Sequence, residues 1–178
     1  MRNTILYIAM SLDGYIADPA GNVDWLTGHD PDALNGDGYD TFVQGIDTVI
    51  MGWNTYHQIV TELSPGQWVY EGLQSYVITH RDCCSREGIT FTHQSPTHLI
   101  RSLRQAPGKD IWICGGAAVI RPLMQEDLID TYHISIIPTI LGGGIPLFAN
   151  LQKKLDLHLD ACTSCNGITE LIYHRRCR

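Results

Sequence analysis

The sequence predicts an α/β domain: a mixed, mostly parallel sheet flanked by helices, ending in an antiparallel strand pair. Two patterns carry this expectation. From residue 4 to residue 138, short continuous apolar runs alternate with segments of helical character, as strand–helix units of a parallel sheet do. Near the C-terminus, Leu155, Leu157, Leu159 and Ala161 alternate with Asp156, His158 and Asp160. That period of two marks a half-buried strand, and residues 168–174 would return antiparallel after a turn over Ser164–Gly167.

In chain order, residues 4–10 (TILYIAM) form an apolar run suited to a central strand covered on both faces. Residues 11–24 hold Asp13, Gly14, Pro19, Gly21 and Asp24 and read as a long irregular crossing, the kind that often serves as a lid. A short helix is expected within residues 31–44, starting near Asp37 or Asp40 and blurred by Gly36 and Gly38. Residues 47–51 (DTVIM) give a second buried strand ended by Gly52, with Asn54 and Thr55 as caps for a helix over 54–62. Residues 75–79 and 88–92 are the third and fourth strands. Residues 96–105 are helical, with Leu99, Ile100 and Leu103 on one face and Pro107-Gly108 as the stop. Residues 111–114 (IWIC) are the fifth strand. A helix over 117–125 follows, in which Pro122 should kink the chain or mark a boundary. Residues 131–138 form a long strand before the glycine turn at 141–144.

A hydrophobic content of 44% and a charged content of 17% over 178 residues fit one globular domain, residues 1–178. No apolar run approaches the roughly 20 residues that span a bilayer, and the N-terminal stretch reads as a first strand, not a leader. A formal net charge of −7 argues against broad nucleic-acid binding. Six scattered cysteines without a small disulfide scaffold fit a reducing, cytoplasmic setting. Cys162-x-x-Cys165, with His174 and Cys177 nearby, is a single pair straddling an expected turn, so no metal site is expected. Histidines at helical i, i+4 spacing are absent, and so is a G-x-S-x-G elbow. Trp25, Trp53, Trp68 and Trp112 would pack in the core or line a flat pocket.

Ligands of open α/β sheets bind beyond the strands' carboxyl ends, and three such ends carry suitable groups. Gly52–Thr55 offers backbone N–H groups and a hydroxyl at a helix start. Thr79-His80-Arg81 offers a hydroxyl and a fixed positive charge. Gly115–Ala118 offers a glycine turn opening into a helix, a device for anions that also occurs as an ordinary tight connection. An anionic ligand spanning all three would be a dinucleotide, with Arg81 suited to an extra ribose phosphate unless it is merely a solvated surface residue. No G-x-G-x-x-G follows a strand.

The chain resembles the dihydrofolate-reductase-like superfamily, in particular the riboflavin-biosynthesis reductase domain (RibD C-terminal) family. The resembling segments are YIAMSLDGYIAD with GNVDWL within 7–26, VIMGWNTY at 49–56, YVITHR at 76–81, ICGG at 113–116 and PTILGGGIPLF at 138–148. The resemblance implies a dihydrofolate-reductase-like sheet with NADPH over the strand ends. It implies cofactor contacts at Gly52, Trp53, Asn54, Thr55, Thr79, His80, Arg81, Gly115, Gly116, Ala117, Ala118 and Val119. Ala9 would lie near the nicotinamide, and Ser11, Asp13, Thr139 and Gly143 would border the substrate. It also implies a homodimer. Relatives often carry a basic residue where this chain has Trp53, so a phosphate contact is lost or moved to Arg81 or Arg86.

The function so implied is NADPH-dependent hydride transfer to a pteridine-like or ribosylamino-pyrimidine-like small molecule. Hydride transfer needs alignment first, and a protein acid can assist it. Asp13, Asp24 and Asp30 are the candidate acids. Asp30 follows Trp25 at an offset similar to that in bacterial folate reductases, although it also reads as a cap before Pro31. Asp13, followed by glycine, also reads as a turn residue. The rival readings are a true dihydrofolate reductase using Asp30, and a dinucleotide- or flavin-binding protein without turnover.

Overall fold

The structure, a computed structural model, describes residues 1–30, 38–149 and 151–176. Ten strands and four helices follow one another as β1 (Thr4–Ser11), β2 (Tyr15–Ala17), α1 (Gly38–Gln44), β3 (Ile46–Gly52), α2 (Trp53–Gln58), β4 (Gln74–Ile78), β5 (Ile89–Thr92), α3 (Pro96–Gln105), β6 (Asp110–Gly115), α4 (Ala117–Gln125), β7 (Thr131–Ile137), β8 (Ile145–Pro146), β9 (Leu157–Cys165) and β10 (Ile168–Arg175). A π-helical turn, Ile59–Leu63, prolongs α2.

Eight strands form one sheet in the order β5-β4-β3-β6-β1-β7-β10-β9. The first six run parallel, and β10 is antiparallel to both β7 and β9. The expected mixed, mostly parallel sheet with its antiparallel C-terminal pair is therefore present.

The apolar runs are continuous because both faces of the central strands are covered. Leu6, Ile50 and Ile113 point into a core completed by Leu99, Ile100, Ile120, Leu123 and Met124 of α3 and α4. Val49, Met51, Val77 and Trp112 point to the other face, where Phe42 and Val43 of α1 and Tyr56 of α2 pack. Ser95 caps α3 by accepting from the His98 N–H at 3.3 Å, with Pro96 at the position where a missing donor costs nothing.

Four local expectations change. Helix α2 begins one residue earlier than its expected caps: Gly52 is the N-cap and no side chain caps it, which leaves Asn54 and Thr55 in the first turn. Helix α4 runs through Pro122 to Gln125. The irregular crossing contains β2, which pairs with β8 through Tyr15↔Pro146 and Ala17↔Ile145. Gly144 makes that approach feasible: at φ +142°, a Cβ there would meet the Ala17 carbonyl oxygen at 2.1 Å. The alternation in β9 breaks where the β9–β10 register shifts beside Ile172/Tyr173, and Leu159 is left 46% exposed. Of the two expected helix starts, Asp37 lies outside the described residues, as do Gly36 and Cys177, and Asp40 falls in the first turn of α1, which is found from Gly38.

Candidate active site

Because six neighbouring strands are parallel, their carboxyl ends share one edge. Along it, in the order of the strands, lie Thr79–Arg81 after β4, Gly52–Thr55 after β3, Gly115–Val119 after β6, Ser11–Asp13 after β1 and Thr139–Gly143 after β7. The β3–α2 and β6–α4 turns touch. A Cβ on Gly116 would meet Thr55 Oγ1 at 3.6 Å, and one on Gly52 would meet Val119 Cγ2 at 3.3 Å and the Gly116 nitrogen at 4.0 Å. The Gly115–Gly116 peptide bond is cis. Gly116 caps α4 with an extended backbone, and the first N–H groups of a helix have no partner within it. Ala117 and Ala118 thus present donors where the helix dipole favours an anion.

Trp53 also finds a role at this edge. The Arg81 guanidinium carbon lies 4.8 Å from the Trp53 ring centroid, a cation–π contact worth about 0.5–1 kcal/mol at an exposed site. The Arg81 N–H donates to Thr79 Oγ1 at 3.1 Å. The Trp53 ring thus serves as a platform for a basic side chain. Arg86 instead donates to the Tyr56 hydroxyl at 3.2 Å and forms a backbone bridge to Ile89 at the start of β5. A hollow of about 700 Å³ is lined by Trp68, Arg86 and Ile89, the last at the start of β5.

Ser11, Asp13, Thr139 and Gly143 are brought together by two joined loops. Asp13 accepts from Ser11 Oγ at 2.6 Å and from the N–H groups of Leu141 (3.1 Å) and Gly142 (2.8 Å), and Leu12 N–H donates to Thr139 O at 2.8 Å. The Ser11 hydroxyl, then the Gly142 and Leu141 N–H groups, hold the Asp13 carboxyl below the usual carboxylate range. A depressed folded-state value makes the clamp's contribution present above the ordinary aspartate value near ~3.9, and lost as pH falls through the folded one. Ser11→Ala should therefore raise the Asp13 midpoint in a carboxyl-detected NMR titration. An unchanged midpoint would remove the hydroxyl as the main cause.

Asp30 is exposed at the β9–β10 turn. Its N–H donates to Asn166 Oδ1 at 2.9 Å and its carbonyl accepts from Asn166 Nδ2 at 2.8 Å. Asn54, His80 and Ala118 are exposed on the same edge as the other strand-end residues, whereas Thr79 and Val119 are buried. No group of three or more potential metal ligands occurs among the described residues. Among those residues, no helix is long and apolar enough to cross a membrane.

One polar cluster escaped the sequence reading. Tyr7, His133, Ser135 and Glu170 share the sheet face that α1 partly covers. His133 stacks on Tyr7 with ring centroids 4.2 Å apart, and Phe42 stands edge-on to Tyr7 at 4.5 Å. Glu170 Oε1 accepts from the Tyr7 hydroxyl and from Ser135 Oγ, both at 3.4 Å, and Oε2 lies 3.5 Å from His133 Nε2. Burial, then Glu170, raises the Tyr7 hydroxyl to about 12, and burial lowers His133 despite the carboxylate. Its only signal in the sequence is polar residues at 133, 135 and 170 interrupting otherwise apolar strands.

The eight-stranded, mostly parallel sheet with its antiparallel C-terminal pair defines the class: a dihydrofolate-reductase-like α/β domain. The chain belongs to the RibD C-terminal domain family, whose model matches residues 2–171. It is 38% identical over 177 residues to the uncharacterized protein YwjB of Bacillus subtilis (strain 168), covering 98% of each chain. Among solved structures, a putative riboflavin biosynthesis protein from Shewanella sp. PV-4 superposes with a TM-score of 0.84 at 28% identity, over 98% of this chain and 99% of that one. The Thermotoga maritima diaminohydroxyphosphoribosylaminopyrimidine deaminase/5-amino-6-(5-phosphoribosylamino)uracil reductase shares the fold. Its TM-score is 0.70 at 15% identity, and 98% of this chain matches 57% of that one. Family membership supports an oxidoreductase of the RibD reductase type.

Proposed function

We propose that the protein is an NADPH-dependent reductase that passes hydride to a pteridine-like or ribosylamino-pyrimidine-like small molecule, as a 5-amino-6-(5-phosphoribosylamino)uracil reductase does. The observation that carries this reading is the order of the strand ends. Arg81, Gly52–Thr55, Gly115–Val119, Ala9–Asp13 and Thr139–Gly143 stand at the carboxyl ends of β4, β3, β6, β1 and β7, which are consecutive in the sheet. Four strand spacings cover about 19 Å, the scale of an extended dinucleotide with a small ring beyond its end.

The residues fit the cofactor. Arg81, steadied on Trp53, would pair its planar fork with the adenosine ribose phosphate. Thr55 and the N–H groups of Ala117 and Ala118 would receive the pyrophosphate, to which Gly116 leaves close access. The small side chain of Ala9 would leave room for the nicotinamide, and the joined loops at Asp13 and Leu141–Gly142 would border the substrate. When bound, NADPH supplies the hydride. Asp13 serves in this reading as a loop anchor, since its hydrogen bonds favour the ionised form over the protonated form a general acid needs. The reading includes a homodimer in the cytoplasm. Sheet-edge strand β9, nine residues long, offers unpaired backbone for such an association.

Arg81→Ala should weaken NADPH binding about tenfold while changing NADH binding less than twofold, both measured by tryptophan-quenching titration. A tenfold change corresponds to about 1.4 kcal/mol, within the range of a charged hydrogen bond. Equal loss for both nucleotides, or no loss for either, would remove Arg81 from the phosphate site.

A further inference from the structure

We propose that Glu170 is a substrate-anchoring residue, accepting two adjacent N–H groups from the edge of a planar nitrogen heterocycle. The proposal rests on the reductase reading for where the reacting ring lies. The strand register supplies the placement. Ala9 pairs with Ser135, and Ser135 pairs with Glu170, so the three side chains form one row on one face of the sheet. Two strand spacings put the Glu170 backbone about 10 Å from that of Ala9. Between Ala9 and Glu170 in that row stands only the small Ser135 side chain, over which a planar ring would lie with its edge toward the carboxylate. Tyr7 and His133 form the next row inward, and Phe42 of α1 packs on them. The Glu170 row therefore lies on the carboxyl-edge side of the aromatic floor, facing the strand ends that carry the proposed cofactor site.

The cluster's own hydrogen bonding is incomplete. The Tyr7 and Ser135 hydroxyls approach Glu170 only to 3.4 Å, against about 2.7 Å for a strong O–H···O bond. The His133 side chain is 9% exposed and its Nε2 makes no hydrogen bond among the described residues; Glu170 Oε2 stands 3.5 Å away. Buried polar groups are normally satisfied. A carboxylate can accept about four hydrogen bonds, and this one, its side chain 25% exposed, retains acceptor capacity on both oxygens. Tyr7, Ser135 and His133 approach it loosely, and Gly38 at the start of α1 stands against Oε2, where a Cβ would come to 3.1 Å; these neighbours position the carboxylate without saturating it. Two adjacent acceptor oxygens match an amidinium-type edge, which an aminopyrimidine presents once the ring nitrogen beside its amino group is protonated, and they repel a ligand edge that offers only acceptors.

The test uses 2,4-diaminopyrimidine as the probe and 2,4-dimethoxypyrimidine, which lacks N–H donors, as its control. Each is titrated calorimetrically into the full chain with and without NADP⁺. The parent should bind the diamino compound and discriminate against the dimethoxy compound at least tenfold. Glu170→Gln should abolish most of that discrimination, and Ser135→Ala should reduce it about threefold. NADP⁺ affinity and melting temperature should stay near the parent's in both variants. A parent that binds neither pyrimidine, or binds both equally, overturns the proposal, as does a Glu170→Gln variant that still discriminates. Failure of the parent to bind NADP⁺ would instead sink the reductase reading, and the cofactor-free titrations would still score Glu170. A purely structural role would move the melting temperature without moving the ratio of the two pyrimidine affinities.

Discussion

Asp47→Ala should lower the protein's stability by about 3 kcal/mol, the lower end of the cost of leaving a buried charge without its partner. Arg2 is the buried member, its side chain 6% exposed beside an Asp47 side chain that is 37% exposed. Its guanidinium pairs with Asp47 and donates to Thr48 Oγ1 and to the Lys109 carbonyl, each at 2.6 Å. Asp47 in turn accepts from the Lys109 N–H at 2.7 Å and from Thr48 Oγ1 at 2.8 Å. These bonds tie together the chain entering β1, the start of β3 and the chain entering β6. They fix at the amino edge the register of the three strands whose carboxyl ends carry Ala9, Gly52 and Gly115. For a chain of this size the loss should lower the melting temperature by about 10 °C, read by calorimetry. Asp47→Asn should cost less, because the amide oxygen still accepts from the guanidinium. A melting temperature within 2 °C of the parent's for Asp47→Ala would mean that Thr48 and Lys109 satisfy Arg2 unaided.

The sheet was legible because its signal is local and repeated. Runs such as residues 47–51 and 111–114 cannot be solvent-facing on either side, and the structure buries Val49, Ile50, Met51, Ile111 and Ile113 accordingly. The strand ends were legible because glycine, threonine and arginine after an apolar run have few reasons to recur together. What escaped depended on partners distant in sequence. Strand β2 exists only because Gly144 lets the later loop reach the Ala17 carbonyl. Neither segment alone has strand character, so residues 11–24 read as irregular. Asn54 and Thr55 are good cap types, but the cap position is set by where β3 ends, and Gly52 occupies it. Helix α4 keeps Pro122 because Val119, Ile120, Leu123 and Met124 are fully or almost fully buried on either side of it, and tertiary packing outweighs one missing hydrogen bond. The Glu170 cluster was invisible for a similar reason: strands β1, β7 and β10 meet only in the folded sheet. Trp53 illustrates the opposite case. The sequence marked it as a departure from the family pattern, and only the folded chain shows that the Arg81 guanidinium lies over its ring.

Gly116→Ala should reduce NADPH affinity at least tenfold while leaving the fold almost untouched, and Gly115→Ala should do the reverse in emphasis. The two glycines are neighbours with different reasons to be glycine. Gly115 has φ +134°, a conformation that side chains strain to adopt, and a substitution there should cost about 1–3 kcal/mol of stability. Gly116 has φ −87° and ψ −162°, open to any residue, and a Cβ there would meet Thr55 Oγ1 at an ordinary 3.6 Å. Neither the backbone angles nor the surroundings of Gly116 exclude a side chain, so the effect of one would fall on a ligand approaching this turn. A phosphate cradled by the first N–H groups of α4 would come close to that backbone, and a methyl group would hold it off. The two effects separate in one pair of measurements, a thermal melt and a nucleotide titration on each variant. Gly116→Ala should melt within about 2 °C of the parent and lose nucleotide. A Gly116→Ala protein that binds NADPH as tightly as its parent would show that the pyrophosphate does not pass over this turn. The order of strand ends along the sheet edge would then no longer describe a cofactor track.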